Sequence, residues 1–173
     1  MKENQEIKIN SYLSFKLGEE EFAAHASKVL NILELSKITT VPRAPEYMKG
    51  VINLRGTVLP VIDTRVKFGM SPTVYTTNTC IIVLDITVDN ESIQIGALVD
   101  GVQAVLEIEQ NQIMPAPSIG SRYRSEFIEG VATIDEKFVM ILDMDAIFSA
   151  NDLTSLMEKT VETKQIETIE EIS

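Results

Sequence analysis

The chain contains one cysteine and one histidine, fewer basic than acidic residues, and no apolar run near the roughly 18 residues a membrane-spanning helix needs. Each scarcity narrows what it does. Cys80 lies inside CIIVLDI. It has no cysteine to pair with and reads as core filling rather than a reactive thiol. His25 has no cysteine or HExxH-like partner nearby, so it supports neither a zinc site nor a His-dependent triad and reads as structural. No GxGxxG and no P-loop occurs, and the eight glycines stand singly. The carboxylate pairs Asp143 with Asp145 and Asp85 with Asp89 fall at strand ends and turns, where solvated carboxylates are common. The expectation is a protein that is not an enzyme and needs no cofactor or metal.

With 15 Lys+Arg against 26 Asp+Glu, the net charge of −11 repels polyphosphate and anionic lipid. Neither nucleic acid nor direct membrane insertion is expected. The opening MKENQEIKIN has no hydrophobic block of the signal-peptide kind, so the expected location is cytoplasmic, where the sequon Asn90-Glu91-Ser92 carries no meaning. The charge is uneven. Residues 152–173 hold −4, whereas the stretch from Arg43 to Phe68 holds +3 through Arg43, Lys49, Arg55, Arg65 and Lys67 against Glu46 and Asp63.

At 173 residues and 45% hydrophobic content, the chain can form one domain or two small modules sharing a core. The sequence favours the second, because it resembles itself. Shifted by 80 positions, GVINLRGTVLPVIDTRVKF (50–68) overlies GVATIDEKFVMILDMDAIF (130–148). Shifted by 73, FAAHASKVLNIL (22–33) overlies IGALVDGVQAVL (95–106). Strands are expected at SYLSFKL, VINL, TVLPVID, CIIVLDIT, SIQIGALVD, QAVLEI, FIEGVATI and FVMILDM, which argues for small antiparallel barrels. Short helices are expected at APEYMKG, TRVKF, DAIF and NDLTSLMEKT, the last capped by Asn151 or Asp152. Pro60 cannot donate to a ladder, which places its strand at an edge or at a bulge. The acidic tail VETKQIETIEEIS reads as frayed helix or disorder.

The stretch VINLRGTVLPVID places an arginine in the middle of a buried-looking hairpin. Its counterpart reads Asp135-Glu136-Lys137 where the first copy has Arg55-Gly56-Thr57, so the turn itself demands no arginine. Strand alternation puts Val51, Asn53 and Arg55 on one face and Ile52 and Leu54 on the other, the core face. Arg55 then offers five fixed donors outward, beside a glycine that lets another chain approach closely. That describes a protein-binding anchor. The bland reading is an exposed arginine paired with Asp63 or Glu46, worth about 0.2–1 kcal/mol.

The run VPRAPEYMKGVINLRGTVLPVIDTRVKFG, with ALVDGVQAVLEI and MPAP, resembles the CheW-type chemotaxis coupling proteins and the related regulatory domain of the CheA histidine kinase. The resemblance covers about residues 10–150. It implies a mainly β fold of two intertwined SH3-like barrel subdomains sharing a hydrophobic core, with a few short helices and a C-terminal helix. The organisation it suggests is an N-terminal tail (1–9), the paired barrels (10–150) and a helix with an acidic tail (151–173). It further implies a stand-alone adaptor between chemoreceptor cytoplasmic tips and a CheA-type kinase, placed at membrane-associated receptor arrays. Carried over, the receptor contact falls on Arg55, Asn53, Gly56, Val29, Ile32, Val99 and Val102, and a kinase contact on Ile119, Tyr123 and Phe127. The chain departs from the pattern at Asn31, where relatives usually carry an acid, at Ala23-Ala24-His25 and at Thr64. A ligand-sensing or scaffold barrel in another signalling system is the alternative.

Overall fold

A computed structural model describes residues 9–115 and 125–172. The chain runs β1 (Ile9–Leu17), β2 (Glu20–His25), β3 (Val29–Glu34), β4 (Met48–Leu54), β5 (Thr57–Asp63), α1 (Thr64–Lys67), β6 (Cys80–Val88), β7 (Glu91–Val99), β8 (Gly101–Glu109), β9 (Ile113–Met114), β10 (Ile128–Ile134), β11 (Lys137–Leu142) and α2 (Ala150–Ile172), with three single 3-10 turns between strands. It forms two curled sheets and a C-terminal helix. One sheet has the order β8-β1-β2-β11-β10-β9, the other β3-β6-β7-β5-β4.

The duplication explains this order. Each sheet takes a hairpin from one half of the chain, β1–β2 or β6–β7, and completes it with strands of the other half, so the two barrels are intertwined. The seams are parallel pairs at equivalent positions: Val61 and Ile62 against Gly96 and Ala97 in one sheet, Ile141 and Leu142 against Ala23 and Ala24 in the other. Both shifts read from the sequence, 80 and 73, therefore recur in one register. Details repeat as well. The Asp63 amide donates to the Tyr47 carbonyl and the Asp143 amide to the Phe127 carbonyl. Bulges precede both Gly50 and Gly130. A Cβ at Gly50 would overlap the Thr39 carbonyl oxygen, and one at Gly130 would lie 2.8 Å from that of Met114, so a bridging strand crosses closely at both sites.

Three packed regions result. Ile52, Leu59, Val61, Ile81, Val83 and Leu98 fill one barrel, and Tyr12, Ala23, Ile108, Ala132, Val139 and Ile141 fill the other. Between them lies the shared core, including Phe15, Phe22, Val51, Ile62, Phe68, Ile86 and Phe148, into which α2 inserts Leu153 and Leu156. Burying each such side chain contributes about 1.5–3 kcal/mol.

Several expectations are corrected. Strands β2, β3 and β9 form where no strand was assigned; β2 and β3 overlap the stretch 22–33 recognised only as a repeat. APEYMKG is a turn closed by the Met48 amide on the Pro45 carbonyl (2.9 Å), running directly into β4. DAIF is also a turn, because Ile147 and Phe148 are drawn into the shared core. The cap of α2 is Ser149: its Oγ accepts the Asp152 amide (3.1 Å) while the Asp152 carboxylate accepts the Ser149 amide (2.9 Å). The tail continues as helix to Ile172. Strand β1 already includes Ile9, which the tail had been expected to contain; residues 1–8 lie outside the described residues.

Pro60 sits in an inner strand rather than at an edge. Val51, opposite it, turns both backbone groups toward Thr39, so Pro60 faces its own missing donor away from β4. On that side the parallel ladder starts only at Val61, and the missing N–H leaves no bond unmade. The one-sided strand pattern also needs correction: Ile52 fills a barrel, but Val51 is equally buried, in the shared core.

Candidate protein-docking site

The β4–β5 hairpin closes through two residues of positive φ, Arg55 (+53°) and Gly56 (+85°), the signature of a type I′ turn. Asp135 and Glu136 (+50° and +67°) do the same between β10 and β11. Arg55 therefore occupies the turn, not a strand face. Asn53 supports it: its Oδ1 accepts the Gly56 amide at 2.9 Å. Arg55 is exposed and makes no ion pair or hydrogen bond among the described residues. The suggested partner Asp63 is buried and already occupied, accepting from the Thr73 hydroxyl (2.7 Å) and amide (3.0 Å) and from the Arg65 amide (3.2 Å).

The neighbouring cations are occupied too. Arg65 bridges to Asp100 through Nη2 at 2.6 Å and Nε at 2.7 Å, and Lys67 pairs with Asp152 at 3.0 Å while lying 4.3 Å from the Tyr47 ring centroid. Two of the five cations of the basic island are thus neutralised in the fold, while Arg43 and Arg55 stay exposed, Arg55 at the hairpin tip. Asp152 also accepts the Tyr47 hydroxyl at 3.0 Å. Burial pushes the Asp152 pKa up, but the Ser149 amide, Lys67 and Tyr47 outweigh it and the net shift is down. Burial, then the nearby Asp152 charge, raise the Tyr47 phenol far above its usual range.

Strand β3 is a sheet edge whose middle residues are exposed, Ile32 at 45% and Leu30 at 49%. Val29 is half-buried against the shared core, as is Val102 on β8, its equivalent at a shift of 73. Strands β3 and β4 end opposite sides of one sheet, and its curl brings Leu33 and Leu54 into a single interior cluster. An open cleft of about 480 Å³ runs along Ile32, Leu33, Leu35, Asn78 and Cys80. The Cys80 thiol is half-buried, and burial raises its pKa.

Not every expected contact residue reaches the surface. Val99 is 0% exposed and serves the shared core, because β7 is flanked on both sides and covered on both faces. Phe127 is 4% exposed, its ring 5.6 Å from that of Phe68, so it is a core residue rather than a contact. Ile119 and Tyr123 lie outside the described residues. Leu30, which the sequence reading passed over, is exposed beside Ile32; apolar periodicity alone cannot separate an outward edge residue from an inward one.

Of the groups weighed for chemistry, Asp143, Asp145 and His25 have structural partners. Asp143 Oδ1 accepts the Asp145 amide, and Asp145 holds Lys28 at 2.8 Å and the Thr87 amide at 2.9 Å. The His25 Nδ1 accepts the Ser27 amide, and its ring lies edge-on to Tyr12. Among the described residues there is no metal-binding group of His, Cys, Asp and Glu, and no helix is long and apolar enough to cross a membrane.

Two barrels with filled interiors, an arginine at a hairpin tip unpaired among the described residues and an exposed apolar edge strand make up a β-barrel module without a candidate reactive cluster among those residues. The comparisons give that module a family. The model for the CheW-like domain matches residues 11–152, and the chain belongs to this family. It is similar to the chemotaxis protein CheW of Klebsiella aerogenes, with 34% identity covering 82% of this chain and 83% of the relative. It resembles CheW of Bacillus subtilis at 30% identity, covering 77% and 83%. The crystal structure of the scaffolding protein TtCheW from Thermoanaerobacter tengcongensis superposes with a TM-score of 0.74 at 29% identity, covering 88% of this chain and 96% of that one.

Proposed function

We propose that the protein is a non-catalytic chemotaxis adaptor that couples the cytoplasmic tips of chemoreceptors to the regulatory domain of a CheA-type histidine kinase, in the cytoplasm at membrane-associated arrays. The observation that carries this reading is Arg55: an exposed guanidinium without a partner among the described residues, held at a positive φ that a glycine would adopt at lower cost. The turn type sets that conformation, as it does at Asp135 and Glu136; what Arg55 adds is a positive charge at an exposed tip where the other copy carries an acid. The receptor-facing surface comprises Arg55, Asn53 and Gly56 at the tip, with Ile32 and the half-buried Val29 and Val102; Leu30 joins it, and Val99 supports it from beneath. The kinase contact is assigned to Ile119 and Tyr123, which lie outside the described residues.

Coupling needs no chemistry. If receptor and kinase bind different edges of one rigid body, a change in the hold on one edge alters the free energy of binding at the other. Capture on an immobilised receptor tip tests this: Arg55→Glu is expected to weaken receptor binding by about 2 kcal/mol or more, as for a central interface anchor. A loss below about 0.5 kcal/mol returns Arg55 to an ordinary surface charge.

A further inference from the structure

Among the described residues the two sheets end in four edge strands, and an edge is a ready template for pairing with another chain. Three of the four are closed by devices visible in the fold. Thr39 lies along β4, its amide and carbonyl bonded to the carbonyl and amide of Val51 at 2.9 Å each. Strand β9 offers only Ile113 and Met114. Strand β8 is bulged: Phe15 pairs with Val102 and Ser14 with Ala104, which leaves Gln103 unpaired. The buried Ser14 hydroxyl fills that irregularity, accepting the Ala104 amide (3.1 Å) and donating to its carbonyl (3.2 Å), and the strand continues to the acids Glu107 and Glu109.

Strand β3 is the exposed case. It is six residues long, pairs with β6 alone among the described strands, and is apolar in its middle at Leu30 and Ile32. The duplication gives it the same bulge: Val29 pairs with Leu84 and Asn31 with Val83, which leaves out Leu30, the equivalent of Gln103 at a shift of 73. Where β1 supplies Ser14, β6 supplies Val83, which has no polar group for the bulge. The polar group comes from β3 itself. Asn31 Oδ1 accepts the Ile32 amide at 2.8 Å, so its oxygen stands where the carbonyl of an added strand would have to be. We propose that Asn31 guards this edge: by holding the Ile32 amide within the chain it denies an incoming strand the central donor of β3, keeps a second copy from pairing there, and restricts Leu30 and Ile32 to partners that dock through side chains. An added strand would have to displace the Asn31 side chain or leave one of its own carbonyls unpaired.

The test compares the full chain with Asn31→Val, which removes the acceptor, and Asn31→Asp, which keeps one. Hydrogen exchange read residue by residue in dilute samples is expected to quicken at Ile32 about fivefold or more in Asn31→Val, as for loss of one hydrogen bond, and to stay near the wild-type rate in Asn31→Asp. Sedimentation over a concentration series is expected to show Asn31→Val associating where the wild type and Asn31→Asp do not. Adding Ile32→Pro to Asn31→Val removes the contested amide and is expected to abolish that association. Unchanged exchange at Ile32, quicker exchange without association, or equal association of the wild type would overturn the proposal. So would association that survives Ile32→Pro, which would be contact through side chains alone. No receptor or kinase enters the experiment, so its outcome is independent of the adaptor reading.

Discussion

Arg55 and Asp135 occupy the same turn position in the two halves, and both pay the cost of positive φ, on the order of 1 kcal/mol for a residue with a Cβ. At Arg55 that cost, with no ion pair among the described residues, separates stability from function. Arg55→Asn, which tolerates the left-handed region better, is expected to raise unfolding stability by about 0.5–1 kcal/mol while lowering receptor affinity; denaturant melts and a binding isotherm on the same samples check both. A fall in stability would instead mean that the guanidinium steadies its own hairpin. Arg55 also marks the limit of what the sequence disclosed. Its outward position was legible from the mismatch between the two copies, but its place in the turn was not, because strand alternation cannot tell where a hairpin reverses. Val99 and Phe127 were misplaced for a related reason: an apolar residue at a strand end reads the same whether it caps a groove or closes a core.

Helix α2 is held by two kinds of interaction that respond to different perturbations. Leu153 and Leu156 anchor it in the shared core, and Leu156→Ala is expected to cost about 2–5 kcal/mol by chemical denaturation. The Asp152 cluster with Ser149, Lys67 and Tyr47 adds a pH-dependent part. Because the folded pKa of Asp152 is depressed below the ordinary 3.8, its stabilisation is complete above that value and is lost as pH falls through the lower folded one. Acid titration should therefore loosen α2 below about pH 4, and Asp152→Asn should flatten that part of the stability profile. Most strands were legible as apolar, β-branched runs. Strand β2 was not, since Glu20, Glu21, Ala23 and Ala24 have low β-propensity and are held by β1 and β11 on either side. The turns at APEYMKG and DAIF were mistaken for helices because the shared core, invisible to local propensity, claims Met48, Ile147 and Phe148.

At the scale of the molecule, the duplication was the most informative feature of the sequence, since its two shifts match the two parallel seams of the fold. Intertwining also makes the barrels one body. Lys28 with Asp145, and Arg65 with Asp100, tie the two halves together at near-equivalent places with the signs reversed. Such a body can transmit a shift at one edge to another without an internal hinge, which is what coupling two partners requires. The most direct measurement is the affinity of a receptor cytoplasmic tip for the wild-type protein and for Arg55→Glu, each free and bound to the regulatory domain of a CheA-type kinase. Adaptor action predicts a ternary complex with the wild type, and with Arg55→Glu a selective loss of the receptor while the kinase domain remains bound. Mutual exclusion of receptor and kinase, or unchanged receptor affinity in Arg55→Glu, would contradict it.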